Sequence, residues 1–370
     1  MLTFETLHKA VTHPQGAVAR FASLIEPCTD DTLTAMARDA AALTRRHFGK
    51  TMRLFIPLYV SNTCVNACVY CGFARQNEIP RRVLTFDEIK REAACLAAQG
   101  FRSILLVAGE HPRDVSTEFL ESIIADLKPS FPSVVLEIAP QDTANYRRLV
   151  AAGAEGLVNY QETYLPELYA TLHPAGPKKN YDWRLQTPER AAEAGFSRVG
   201  IGALLGLAPW REEMLLLAAH LDYLQRIHWQ THFTVSFPRL RPASGGYEPP
   251  HPLGDREFIQ LVCAFRIAFP QAGLVMSTRE SPALRDLLAP LGLTMMSAGA
   301  RTNPGGYSAA VAAEDTGRDE KDIRDTKDGA SIEDDTQFCV ADSRDAATVT
   351  ARLRELGLDP VWKDWDAVIG

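Results

Sequence analysis

Long hydrophobic runs are missing from this sequence: no apolar stretch in its 370 residues reaches the length that spans a bilayer. The opening residues, Met1 to Lys9, lack the basic start and apolar middle of a secretory signal. Positive charge is also in short supply. Lys and Arg number 39 against 46 Asp and Glu, a net charge of −7. With no long basic segment, a nucleic-acid or anionic-membrane surface is not expected. Cysteine pairs of the kind that staple secreted domains are absent too. Outside one triplet, Cys28, Cys95, Cys263 and Cys339 are scattered and form no C-x-x-C. Cys95 and Cys263 fall in helical patterns rich in Ala, Leu and Phe, where a free thiol packs as a small apolar group. A reducing, cytoplasmic location is expected. The chain is long enough to bury a sizeable core, as one large barrel or two ordinary domains.

What is present is Cys64, Cys68 and Cys71, in the run Ser61-Asn62-Thr63-Cys64-Val65-Asn66-Ala67-Cys68-Val69-Tyr70-Cys71-Gly72-Phe73, directly after an apolar, strand-like segment. Three thiolates on one loop make a metal or cluster site. A structural zinc takes four protein ligands, and ordinary iron-sulfur carriers use four cysteines. The nearby chain offers no fourth. A 4Fe-4S cluster held by three cysteines keeps one iron open to a small molecule. Three loop cysteines without metal, or a zinc completed by a distant His or Cys, are the alternatives.

Short β-rich runs alternate with amphipathic helical patterns from about residue 52 to 310. Strands are expected at 53–61, 103–109, 134–139, 156–161, 198–204, 231–237, 273–278 and 293–298. Helices are expected at 86–99, 117–128, 144–152, 188–195, 212–228, 255–268 and 281–290. Thr85 and Glu88 form a capping box at the first of them. The pattern predicts an α/β fold, a (β/α)8 TIM-type barrel, over 51–312. A helical extension, 1–50, should cap the barrel's N-terminal end, with Asp30-Asp31 starting its second helix. Residues 313–336 read as a charged, flexible insertion. Residues 337–370 read as a helix near 344–356 and a tail with Trp362 and Trp365 packed on the barrel. Active sites of such barrels lie at the C-terminal ends of the strands. Polar residues follow nearly every predicted strand: the cysteine loop, Gly109-Glu110-His111, Pro140-Gln141-Asp142, Gln161-Glu162-Thr163-Tyr164, Arg239, Arg241, Ser277-Thr278-Arg279-Glu280 and Arg301.

The cysteine triplet, with an aromatic residue before its third member, resembles the cluster loop of the radical S-adenosylmethionine (SAM) enzymes. Gly109-Glu110, Gln161-Glu162-Thr163-Tyr164, Pro238-Arg239-Leu240-Arg241-Pro242, Ser277-Thr278-Arg279-Glu280, Pro304-Gly305-Gly306-Tyr307 and Trp362-Lys363-Asp364-Trp365-Asp366 together narrow the likeness. They resemble the 2-iminoacetate synthases, the ThiH tyrosine lyases of thiamine biosynthesis. The resemblance implies one 4Fe-4S cluster on Cys64, Cys68 and Cys71, SAM as second cofactor, and cleavage of tyrosine to p-cresol and 2-iminoacetate (dehydroglycine). It also implies a thiazole synthase partner and a reduced flavodoxin or ferredoxin type electron donor. SAM would be held by Tyr70, Gly109, Glu110, Glu162 and Arg184, and tyrosine by Ser277, Arg279 and Arg301, with Arg279 favoured for the carboxylate. The related hydrogenase maturation lyase carries a second cluster on C-terminal cysteines, whereas only Cys339 follows Tyr307 here. Other readings are a radical SAM lyase for tryptophan or tyrosine in another pathway, and a non-catalytic iron-sulfur or zinc protein. Abstracting hydrogen from a substrate amine requires an uncharged nitrogen, so a base must be present; the sequence does not identify it.

Overall fold

Residues 1–316 and 335–362 are described in a computed structural model of the chain. Eight strands form the centre: β1 (Thr51–Ser61), β2 (Ser103–Ala108), β3 (Ser133–Glu137), β4 (Gly156–Glu162), β5 (Arg198–Ala203), β6 (His232–Ser236), β7 (Gly273–Met276) and β8 (Met295–Ser297). Neighbours pair in parallel from β2 to β8, and both β2 and β8 pair with β1, so the sheet closes into the expected barrel. Its helices are α4 (Phe86–Ala98), α5 (Thr117–Leu127), α6 (Thr143–Ala152), α7 (Pro166–Leu172), α8 (Tyr181–Leu185), α9 (Thr187–Ala194), α10 (Trp210–Ile227), α11 (Asp255–Ala268), α12 (Pro282–Leu288) and α13 (Gly306–Thr316). The Thr85 and Glu88 capping box is present at the start of α4. Among the described residues no helix is long and apolar enough to cross a membrane.

Strand side chains alternate between helices and lumen with a period of two. Along β1, Leu54, Ile56, Leu58 and Val60 are buried in the main core, while Phe55 lines the lumen and Tyr59 packs near the mouth with Phe73 and Val107. Along β3, Val134 and Leu136 join the core, whereas Val135 and Glu137 face inward. On β5 a Cβ at Gly202 would meet the Tyr160 ring at 2.7 Å, so the glycine makes room for that ring in the barrel.

The N-terminal extension departs from expectation. It comprises three helices, α1 (Phe4–Thr12), α2 (Gly16–Leu24) and α3 (Asp30–Phe48), and Asp30-Asp31 begin the third. They pack chiefly against α10 and α11 on the flank of the barrel, and the end of α3 reaches the loop before β8 at the barrel's N-terminal end. The cause lies in α11, which is apolar round most of its circumference (Phe258, Leu261, Val262, Phe265, Ile267) and needs cover on the side away from the sheet. Arg256 binds Asp30 and the Cys28 carbonyl, and Thr44 donates to the Leu291 carbonyl at 3.1 Å.

After α13, most of the insertion predicted at 313–336 lies outside the described residues, as do Lys363 to Asp366. The described C-terminal segment crosses the mouth of the barrel. Gly72 donates to the Gln337 carbonyl, Gln337 to Thr302, Cys339 to Pro242 and Ala341 to Thr278, all through backbone groups. Buried Arg285 pairs with Asp342, and Arg344 bridges Asp342 and Asp286. Then come α14 (Ala346–Glu355) and a short strand, β9 (Asp359–Val361), which pairs with Thr51–Arg53 of β1. Trp362 sets its ring edge-on to Phe101 at 5.0 Å.

Candidate active site

The loop after β1 is held from below by its own side chains. Asn62 accepts from the Arg82 amide at 2.6 Å and donates to the Pro80 carbonyl at 2.8 Å. Arg81 donates to the carbonyls of Asn62, Phe73, Ala74 and Asn77. Val65 donates to the Glu110 carbonyl at 2.8 Å, which brings the loop against the end of β2. A Cβ at Gly109 would collide with the Thr63 carbonyl oxygen, so this approach requires glycine.

Held this way, Cys64, Cys68 and Cys71 line one cavity of about 90 Å³ together with Glu110, Glu137, Glu162, Lys178 and Arg184. Burial pushes the Cys68 thiol up to about 12 and raises Cys71 as well, while the Lys178 ammonium pulls both back. Three sulfur donors face one space, and no fourth cysteine lines it among the described residues. Among the described residues no group of three His, Cys, Asp or Glu is arranged to hold a single metal ion. An all-sulfur set short of one ligand fits a cluster with an open iron better than a lone zinc, which would need its thiolates about 2.3 Å from one point.

Beside the cysteines lies a closed ion network. Arg184 reaches Glu110 at 3.3 Å and Glu162 at 3.7 Å, and donates from Nε to the Tyr160 carbonyl at 2.7 Å. Lys178 Nζ lies 2.8 Å from Glu162, and the Asn66 amide donates to Glu110 at 2.5 Å. Burial alone would raise the pKa of Glu162, but Lys178 and Arg184 hold it below the usual carboxylate range. Glu162 is also the one non-glycine residue with positive φ (71°) among the described residues, at an irregularity where β4 leaves its register with β5. Such a conformation costs on the order of 1–3 kcal/mol; it turns the carboxylate toward its two cations. The Lys178 ammonium lies 5.7 Å from the centre of the Tyr70 ring. His173 Nδ1 must donate to the Tyr169 carbonyl, so Nε2 accepts from the Tyr70 hydroxyl at 2.7 Å. A larger cleft of about 540 Å³ opens sideways past Pro112, Gln141 and Trp183 and shares Glu110, Lys178 and Arg184 with the cysteine cavity. It lacks the sulfur donors, so the smaller cavity is the chemical centre.

The same space continues into a second cavity of about 70 Å³, lined by Tyr70, Glu137, Tyr160, Arg279, Gln337 and Phe338 among others. Arg279 stacks its guanidinium 3.3 Å from the centre of the Phe338 ring, and burial lowers its pKa. Ser277 and Arg301 line neither cavity. The Ser277 hydroxyl accepts from the Arg279 amide and shapes the turn, and the Arg301 amide donates to the Tyr307 hydroxyl. Sequence reasoning missed Glu137, Tyr160, Lys178, Gln337 and Phe338. Glu137 alone had a readable signal: an acid at an inward position inside the apolar run Val134-Val135-Leu136-Glu137-Ile138.

Comparison with known proteins places these motifs in company. Residues 58–218 match the radical SAM superfamily, and residues 236–359 match the Biotin and Thiamin Synthesis associated domain. The sequence is 39% identical over 349 residues to the 2-iminoacetate synthases of Salmonella typhimurium and Escherichia coli, covering 94% of this chain and 87% of each relative. It also superposes on the FeFe-hydrogenase maturase HydG from Carboxydothermus hydrogenoformans with a TM-score of 0.82 at 32% identity, over 98% of this chain and 83% of that one.

Proposed function

The chain belongs to the 2-iminoacetate synthases of the radical SAM superfamily, and on that premise we propose that it cleaves the Cα–Cβ bond of L-tyrosine, releasing p-cresol and 2-iminoacetate for thiazole formation in thiamine biosynthesis. The observation that carries this reading is the three-sulfur cavity at the mouth of the barrel, set within a sequence 39% identical to those enzymes over nearly its whole length. When bound, the 4Fe-4S cluster and SAM supply a 5′-deoxyadenosyl radical.

The protein's own groups bind, orient and exclude water. Cys64, Cys68 and Cys71 would ligate three irons. Glu110, with the Gly109 backbone, would take the ammonium of SAM, and Arg184 its carboxylate by paired hydrogen bonds. Glu162 would accept from the ribose hydroxyls, and the Tyr70 ring would face the adenine. Arg279 would hold the tyrosine carboxylate; its guanidinium has a ring for a partner and no hydrogen-bonded acceptor among the described residues. Gln337 and Phe338, carried in by the C-terminal segment, would cover the substrate.

The reading includes release of 2-iminoacetate to a thiazole synthase protein and electrons from a reduced flavodoxin or ferredoxin. It places the enzyme in the cytoplasm, where three thiolates stay reduced. Anaerobic incubation of reconstituted protein with SAM, reductant and tyrosine tests it: 5′-deoxyadenosine and p-cresol are expected together. Deoxyadenosine with tryptophan but not with tyrosine would reassign the substrate, and one zinc per chain without SAM binding would end the enzyme reading.

A further inference from the structure

We infer that Glu137 is the general base that takes the proton from the substrate's α-ammonium group, with Arg279 holding the carboxylate of the same amino acid. This inference rests on the amino acid lyase reading above and assigns the step it leaves open.

The observation is a pair of opposite charges in one cavity that have no hydrogen-bonded or ion-paired partner among the described residues. Every other carboxylate around the cysteine cavity is paired: Glu110 with Arg184 and Asn66, Glu162 with Lys178. The Glu137 carboxylate has neither a hydrogen bond nor an ion pair among the described residues, yet it lines both cavities. Arg279 lines the second, and among the described residues its guanidinium has the Phe338 ring as partner and no hydrogen-bonded acceptor. This anion and cation, sharing one space, complement the two ends of an amino acid zwitterion. Both are half-buried; leaving them partly desolvated without a ligand costs free energy, and a bound zwitterion relieves both.

The surroundings suit a base. Glu137 is faced by Tyr59 from β1, Tyr160 and Glu162 from β4, Arg279 from the end of β7, and Lys178 and Arg184 from the segment after α7. Burial, then the negative charge of Glu162, raises its carboxyl to about 7, against the pull of the three cations. A base titrating near the working pH transfers protons most efficiently. The step is one proton transfer: the N–H bond of the ammonium breaks, its electron pair stays on nitrogen, and an O–H bond forms on Glu137. The neutral amine then carries the lone pair that a nitrogen radical requires.

Two readouts test this. In calorimetry on reconstituted, SAM-bound enzyme, repeated in buffers of different ionisation enthalpy, tyrosine binding to the wild type should release close to one proton at pH 6, falling through about half at pH 7. Glu137→Gln should release none. Equal release by wild type and variant, or no release by the wild type at pH 6, overturns the inference. In turnover, Glu137→Gln should slow p-cresol formation about 100-fold or more at pH 7, with the rate climbing as pH approaches the pKa of the substrate amine. Glu137→Asp should keep an acidic limb near the wild-type position. A Glu137→Gln variant within twofold of wild type, or one with an unchanged acidic limb, overturns it. If the wild type yields deoxyadenosine with another amino acid and no p-cresol from tyrosine, the substrate reading fails. Proton release measured with that amino acid still decides the role of Glu137.

Discussion

Glu162 and Glu137 end neighbouring strands and face the same cavity, yet their surroundings push them in opposite directions. Glu162 sits on a strained backbone between Lys178 and Arg184, and its charge is locked in. Glu137 sits on relaxed strand backbone, makes no hydrogen bond or ion pair among the described residues, and has its carboxyl raised to about 7. Burial is common to both, so it does not set the difference; the placed cations do. Two sets of groups at the mouth thus divide the work. The paired groups next to the cysteines are electrostatically satisfied and suit a fixed cofactor, whereas Glu137 at the end of β3 and Arg279 after β7, which approach from opposite sides of the barrel, keep charge in reserve for a substrate that comes and goes.

The largest effect should come from the group both sets depend on. Replacing Cys71 with Ala should lower iron well below about four per chain and abolish deoxyadenosine and p-cresol alike, as metal analysis and chromatography would show. Next, the two arginines should separate the sets. Arg184→Met should weaken SAM binding about 10- to 100-fold, and Arg279→Met should raise the KM for tyrosine by a similar factor. If Arg279→Met weakened SAM and spared tyrosine, the division would collapse.

Stability against pH gives a third test, with opposite signs for the two acids. The folded pKa of Glu162 is depressed, so its contribution is present above the unfolded value near 4.5 and is lost as pH falls through the folded value. Glu162→Gln should therefore lower Tm at pH 7, by the equivalent of about 3 kcal/mol for breaking a buried pair, and by less at pH 4. For Glu137 the folded pKa is raised, so ionisation disfavours folding increasingly from about 4.5 up to about 7 and by a constant amount above that. Glu137→Gln should raise Tm at pH 8 and leave it unchanged at pH 4.5. The smallest effect belongs to a capping acid far from the cavity. The Thr85 amide and Arg82 hold Glu88 at about 2. Glu88→Gln should cost about 0.5 kcal/mol at neutral pH with kcat and KM unchanged.

The barrel and the cysteine loop were legible because both are local. Period-two alternation marks each strand, and the C-x3-C-x2-C spacing needs no tertiary information. Glu110, Glu162 and Arg184 were reachable because polar residues just after strands, or in a matching motif, point to the mouth. Lys178 was not, since it sits in an aperiodic stretch, His173-Pro174-Ala175-Gly176-Pro177-Lys178, with nothing local to fix its direction. Glu137 was passed over because it lies within a strand; attention to which strand positions face inward would have found it. The helices α7 and α8, seven and five residues long, are too short to show a helical period. The strand β9 contains Pro360 and owes its existence to the free edge of β1 below the start of β2.

The hydrogen bond from Tyr59 to Gln337 joins residues 278 apart in sequence. Strands β2 to β8 all lie between them, so this contact closes a loop that holds nearly the whole barrel. Chain closure over such a span is slow compared with local pairing. The cysteine loop is bonded to the same Gln337 through Gly72. The roof over the three thiols thus belongs to the last part of the chain, and the site below it is complete only when that distant segment is in place.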